Sequence, residues 1–206
     1  MVHAFVISLG RRPAKRESML RRVADAGMRR VEVFEAVDGR SLTKEALRAR
    51  GVTLYPNWRV DGSASRFFSR DLKWGEIGCA LSHHAVWAEI VARNLDVALV
   101  LEDDMAFAPD FARLLAAAIS EADALAAAGT TPPPDLLYVA RRPMRPECDV
   151  PLPRAGGESG VRLVRPAFSY KAGACVLWRR GAQKLLASGY LEQLIPVDNL
   201  LPLLYE

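Results

Sequence analysis

Residues 97–105 read Val-Ala-Leu-Val-Leu-Glu-Asp-Asp-Met, five apolar residues that stop at three carboxylates, Glu102, Asp103 and Asp104. The turn-like Arg93-Asn94-Leu95-Asp96 comes before them. A short, continuous apolar run after a turn reads as a strand buried on both faces. In open α/β sheets, ligands bind just beyond the carboxyl ends of such strands. Three adjacent acids there repel one another and resist desolvation unless a cation is shared. Hard divalent cations take oxygen ligands and bridge carboxylate to phosphate. One reading is therefore a metal–diphosphate site at a strand end. The other is an acidic loop capping the helix that starts near Pro109-Asp110.

Outward from this strand, the pattern is α/β. Ala4–Leu9 is an apolar strand, followed by the turn Gly10–Pro13 and a helix over Ala14–Ala26. Met19, Leu20, Val23 and Ala24 give that helix one apolar stripe, and Gly27 stands where a left-handed cap belongs. Val31–Val37 is a second strand ending in Asp38-Gly39. Short links in a strand–helix–strand order predict a parallel pair, which puts Ser8, Arg11 and Asp38 on one sheet edge. Taken alone, Asp38-Gly39 reads as a plain turn. Thr43 caps a short helix through Arg50. Residues 51–73 form a long irregular connection of the kind used as a binding loop.

Trp74–Arg93 reads as a central, buried helix. Glu76, Cys79 and His83 lie three and four residues apart, on one stripe. A polar group on a buried helix must be paired, so Ser82-His83 serves either core hydrogen bonding or a site. An Ala/Leu-rich helix follows Pro109-Asp110 and is ended by Gly129 and Pro132–Pro134. Asp135–Ala140 reads as a strand, 141–160 as a loop, Arg162–Arg165 and Ala172–Trp178 as two short strands, and Arg179–Ser188 as a helix. In the tail, Asp198 stands among apolar residues, where it caps a helix or serves a site.

Composition fits a single domain over 1–206, half hydrophobic and a quarter charged. The apolar runs fall far short of a bilayer span, and no signal peptide is evident. Cys79, Cys148 and Cys175 form no CxxC, which suggests a reducing compartment without structural zinc. The expected location is cytoplasmic, peripheral to the inner membrane. Residues 11–30 carry eight cations and two acids, a patch suited to anionic lipid head groups or nucleotide phosphate. Without aromatic interleaving or a nucleic-acid-binding motif, nucleic acid is not expected as a partner.

Six pieces in order resemble the family 25 glycosyltransferases, which include bacterial lipooligosaccharide and animal collagen galactosyltransferases. They are Val6-Ile7-Ser8-Leu9 with Arg12 and Arg16; Phe34–Gly39; Gly75–Cys79 with Leu81-Ser82-His83; Leu99–Asp104; Tyr170–Ala174 with Gly181–Leu186; and Pro196-Val197-Asp198. The resemblance implies a nucleotide-diphospho-sugar fold of the GT-A type, with a Rossmann-like, mostly parallel sheet flanked by helices. It implies Mn²⁺ (or Mg²⁺), a UDP-hexose donor, most often UDP-galactose, and inverting transfer to a saccharide or glycolipid acceptor in surface-glycan synthesis. On this reading Asp104 and Glu102 hold the metal. Ser8, Arg11, Asp38, Gly39, Glu76, Ser82, His83, Glu102 and Asp103 line the nucleotide sugar, and Asp198 is the catalytic base. Ser8-Leu9-Gly10 departs from the family's more usual Asn-Leu-Asp, and relatives usually continue past the equivalent of Glu206. Two alternatives stand beside it: a metal-dependent phosphohydrolase, and a non-catalytic sugar-nucleotide-binding module.

Overall fold

The structure is a computed structural model describing residues 2–55, 72–155 and 160–205. Most of the irregular connection expected at 51–73 therefore lies outside the described residues. The strands and helices run β1 (His3–Ser8), α1 (Pro13–Asp25), β2 (Val31–Glu35), α2 (Lys44–Ala49), α3 (Trp74–Ala92), β3 (Val97–Glu102), α4 (Phe111–Ala127), β4 (Leu136–Pro143), β5 (Val150–Pro151), β6 (Val164–Arg165), β7 (Ser169–Trp178), α5 (Arg179–Ala187) and α6 (Val197–Tyr205).

The main sheet has the order β2-β1-β3-β7-β4. β1 pairs in parallel with both β2 and β3, whereas β7 is antiparallel to β3 and to β4. The sheet is thus mixed: four strands point one way, and β7 runs against them. The carboxyl ends of β1, β2, β3 and β4 and the start of β7 consequently share one edge.

Alternation along β3 explains the layering. Ala98 and Val100 join Phe5, Ile7, Trp87, Ile90 and Leu177 in one core, beneath α3, α5 and α6. Leu99 and Leu101 join Val6, Met19, Val23, Leu115 and Leu125 in the other, beneath α1 and α4. With both faces covered, a strand of this kind is apolar without a break, and all four of these β3 residues are fully buried. Trp87 packs on Tyr190 at 5.6 Å between ring centroids, which ties α3 to the C-terminal segment.

Several local readings hold in the structure. Thr43 accepts from the Ala46 N–H at 3.1 Å and opens α2. Gly27 follows α1 with φ 82°, a conformation that costs glycine least. Others are corrected. The segment 141–160 is not loop throughout, because β4 runs on to Pro143 and β5 pairs with β6. β4 is a sheet edge, so its Arg141 and Arg142 need no burial, and the apolar signal fades there. β7 begins at Ser169 rather than 172. Its pairing jumps from Ala140↔Ala174 to Arg142↔Tyr170, a bulge of two extra residues, and Lys171 within it has φ 75°. That irregularity hid the strand's first half.

Candidate functional site

At the end of β3 the chain direction distributes the three acids. Glu102 continues the Ala98–Val100 face toward α3, Asp103 turns to α1, and Asp104 stands at the rim, with its side chain 61% exposed. Glu102 meets two residues one helical turn apart on α3. His83 Nε2 lies 3.2 Å and Cys79 Sγ 3.4 Å from the same carboxylate oxygen, Oε1. An ionised carboxylate has no proton to give, so both neighbours act as donors toward it. Burial pushes the Glu102 pKa up, but the hydrogen bonds from His83 and Cys79 and the charge of Lys15 outweigh it and leave it below the usual glutamate value. Burial, reinforced by the Glu102 charge, holds the Cys79 thiol far above its ordinary range.

Asp103 is already partnered. Lys15 Nζ stands 2.7 Å from Oδ1, and the buried Ser8 hydroxyl donates to Oδ2 at 2.8 Å. Ser8 therefore orients Asp103 with its hydroxyl, while its carbonyl accepts from Arg16 at 2.9 Å. Ser82 is likewise used internally, accepting from the Val37 N–H and donating to the Gly78 carbonyl. This bond pins the end of β2 to α3. Gly39 lies where a Cβ would meet the Trp74 carbonyl oxygen at 2.1 Å, so its task is close approach. Next to it, Asp38 accepts from the Arg40 N–H at 3.0 Å and from Arg11 Nε at 2.5 Å. These two bonds lower its pKa.

Two cavities open on this edge. One, of about 380 Å³, is lined by Arg11, Asp38, Gly39, Ser82, Glu102, Asp103 and Asp104 together with Lys15, Trp74 and Cys79. The other, of about 600 Å³, is lined by Glu76, Arg142, Tyr170, Lys171, Asp198 and Asn199. Glu102 and Cys79 belong to both walls. Asp198, in the first turn of α6, accepts from the Ala172 N–H at 2.8 Å. Burial raises its pKa above the usual aspartate value, the Ala172 N–H opposing it and the Glu102 charge adding to it. Glu76 accepts from the Lys73 N–H at 2.8 Å at the start of α3. Most candidates thus converge on one edge, with Ser8 and His83 behind the first cavity as supports.

The sequence reading offered Arg142 to phosphate or acceptor and Lys15 to nucleotide phosphate as part of a basic patch, but assigned no site role to Cys79, Tyr170 or Lys171. Only Cys79 carried a usable signal, its spacing of four from His83. The basic patch is also thinner than its composition: Arg11, Lys15, Arg16 and Arg21 form ion pairs with Asp38, Asp103, Glu35 and Glu17.

The fold and site define a mixed α/β protein with an acidic, arginine-flanked cleft at the ends of its parallel strands. The model of glycosyltransferase family 25, described as LPS biosynthesis protein, matches residues 1–131. The chain belongs to that family, as the six short pieces implied. It is 37% identical over 202 residues to the probable inactive glycosyltransferase 25 family member 3 of Bos taurus, covering 98% of this chain and 31% of the relative. It is 36% identical over 203 residues to a glycosyltransferase 25 family member of Aedes aegypti, with the same shares, 98% and 31%. Procollagen galactosyltransferase 2 of Mus musculus is 34% identical over 201 residues, covering 98% of this chain and 30% of the relative. The chain spans a little under a third of the length of these curated relatives.

Proposed function

We propose that the chain is a metal-dependent, inverting hexosyltransferase of the GT-A type that moves galactose from UDP-galactose to a saccharide or glycolipid acceptor in surface-glycan synthesis. The observation that carries this reading is the wall of Glu102 and Cys79 between two cavities. Transfer between two substrates needs two sites that meet where the bond is exchanged. The smaller cavity, with Arg11, Asp38 and the acids, suits the nucleotide diphosphate. The larger, with Asp198, suits the acceptor. The family's description and the galactosyltransferase name of the mouse relative support the substrate class. No helix among the described residues is long and apolar enough to cross a membrane. We place the enzyme in the cytoplasm, with its remaining exposed cations, Arg12, Arg29 and Arg30, toward an anionic membrane surface.

The donor chemistry fits a hard cation. Glu102 and Asp104 are carboxylates that both line the smaller cavity, and Mn²⁺ or Mg²⁺ prefers oxygen ligands. When bound, the ion would offset charge on the diphosphate leaving group. The chain's own residues do the rest. Asp198 takes the proton of an acceptor hydroxyl, whose oxygen attacks the anomeric carbon. The bond to UDP breaks with its electron pair, and Arg11 and Lys15 lie near the charge that develops. Asp103, fixed by Ser8 and Lys15, positions Lys15.

Calorimetric titration of UDP with and without Mn²⁺ tests the reading. Asp104→Ala should abolish the Mn²⁺-dependent part while leaving the thermal midpoint in place. Unchanged binding would remove Asp104 as a ligand. A second reading is a non-catalytic sugar-nucleotide-binding module, favoured by the Bos taurus relative's name, probable inactive glycosyltransferase 25 family member 3, and by Asp103's being already neutralised. Tight UDP binding with neither transfer nor donor hydrolysis would select it.

A further inference from the structure

We propose that Cys79, His83 and Glu102 form a binding site for a borderline-soft divalent cation such as Zn²⁺, distinct from the oxygen-ligated ion of the transferase. Their ligand atoms all lie within 4.8 Å of one another. A tetrahedral zinc holds sulfur at about 2.3 Å, imidazole nitrogen at about 2.0–2.1 Å and carboxylate oxygen at about 2.0–2.2 Å. Those lengths place its nitrogen and oxygen ligand atoms roughly 3.3–3.5 Å apart and the sulfur roughly 3.5–3.7 Å from either. The Glu102–Cys79 and Glu102–His83 separations are 3.4 and 3.2 Å. The two edges that can be compared therefore need little rearrangement.

The mounting is as favourable as the distances. Cys79 and His83 are four residues apart on α3 and project from one face, the spacing by which a helix offers two ligands to one ion. Glu102 ends a strand whose four preceding residues are fully buried. All three stand on rigid elements, which fixes ligand positions better than loops do. Cys79 and Glu102 also face both cavities, leaving the fourth position open to water or a ligand. A thiolate and an imidazole select Zn²⁺ over Mn²⁺ or Mg²⁺. Binding turns the Cys79 thiol into thiolate, releasing its proton to the buffer, and moves the His83 proton from Nε2 to Nδ1 so that Nε2 is free to ligate.

Two metals then compete for one carboxylate. If the transferase reading holds, Zn²⁺ on Oε1 draws Glu102 from the donor side and slows transfer.

Co²⁺ reports such a site, because a cobalt–thiolate bond gives an intense near-ultraviolet charge-transfer band. Titrating the purified chain with Co²⁺ should give one equivalent of that band, and Zn²⁺ should displace it. Cys79→Ser should lose it. Cys148→Ser, at an exposed thiol that lines neither cavity, should keep it. Circular dichroism and the thermal midpoint verify that Cys79→Ser folds, and Glu102→Gln, expected to weaken Co²⁺ binding, supplies a second variant. No stoichiometric band, or a full band in Cys79→Ser, overturns the proposal. The readout needs no sugar nucleotide, so it fails or succeeds independently of transfer.

Discussion

Two glycines one turn apart on α3 should answer the same substitution with opposite signs. A Cβ on Gly78 would stand 2.5 Å from the Val37 carbonyl oxygen and 2.9 Å from the Gly39 nitrogen, whereas one on Gly75 meets nothing within 4 Å. Alanine relieves a helical glycine of about 0.5–1 kcal/mol of conformational cost. At Gly75 little opposes that gain, although its place in the first turn reduces it to a few tenths. At Gly78 ordinary contact begins at 3.4 Å, so backbone must yield by nearly 1 Å. Overpacking of that kind costs roughly 1–3 kcal/mol, for a net loss of about 1–2 kcal/mol. In a domain of this size, about 2–4 °C of thermal midpoint accompanies each kcal/mol. Gly78→Ala should therefore melt several degrees lower and Gly75→Ala no lower than wild type. Denaturant midpoints check the ranking. A Gly78→Ala protein as stable as wild type would refute the packing of β2's exit on α3, and with it the explanation of Gly39.

Other outcomes follow from single contacts. Asp198→Asn should keep UDP binding and lose transfer by roughly 10²–10⁴-fold. Because burial raises the Asp198 pKa above 3.8, wild-type turnover should fall with decreasing pH at a midpoint above that value; a limb at or below it would remove Asp198 as base. Thr43→Ala should cost about 1 kcal/mol, read by chemical denaturation, because it deletes the cap of α2. Acid should weaken the fold through Glu32, Glu35, Asp38 and Asp149. Bonds from Arg93, Arg16, the Arg40 N–H and Arg141 respectively hold these pKa values below their ordinary 4.5 or 3.8. Lowered pKa values add stability that is present above the ordinary value and lost as pH falls through the folded one. Denaturant midpoints measured from about pH 6 to pH 3 should decline, and a flat profile would contradict the pairing.

The parts of the fold legible in the sequence are those where one physical demand dominates. β3 is enclosed on two faces, so its apolar run was unbroken; α1, α3 and α5 carried helical spacing with glycine or turn stops. The end of β4, residues 141–143, and the first half of β7 were missed for opposite reasons. β4 is an edge that tolerates arginine, and β7 is bulged at Lys171, where the period of two breaks. The site was legible as a set of acids and as a helix stripe, because chain direction alone brings strand ends together. Its internal bookkeeping was not. That Ser8 is consumed by Asp103, and Ser82 by Val37, depends on pairings across 95 and 45 residues that no spacing encodes.

These consumed groups bear on which acid can act. Of the three carboxylates at the end of β3, Asp103 is neutralised by Lys15, and Glu102 accepts from two donors on α3. Both are held in place by elements of the core. Asp104 stands at the rim with Lys15 no nearer than 3.9 Å. The least constrained acid is thus the one best able to follow a bound diphosphate, while its neighbours hold the cleft's shape. A site built this way separates two losses: removing Asp104 should cost ligand affinity alone, whereas removing Asp103 leaves Ser8 and Lys15 without their partner at the end of β1 and should cost stability as well.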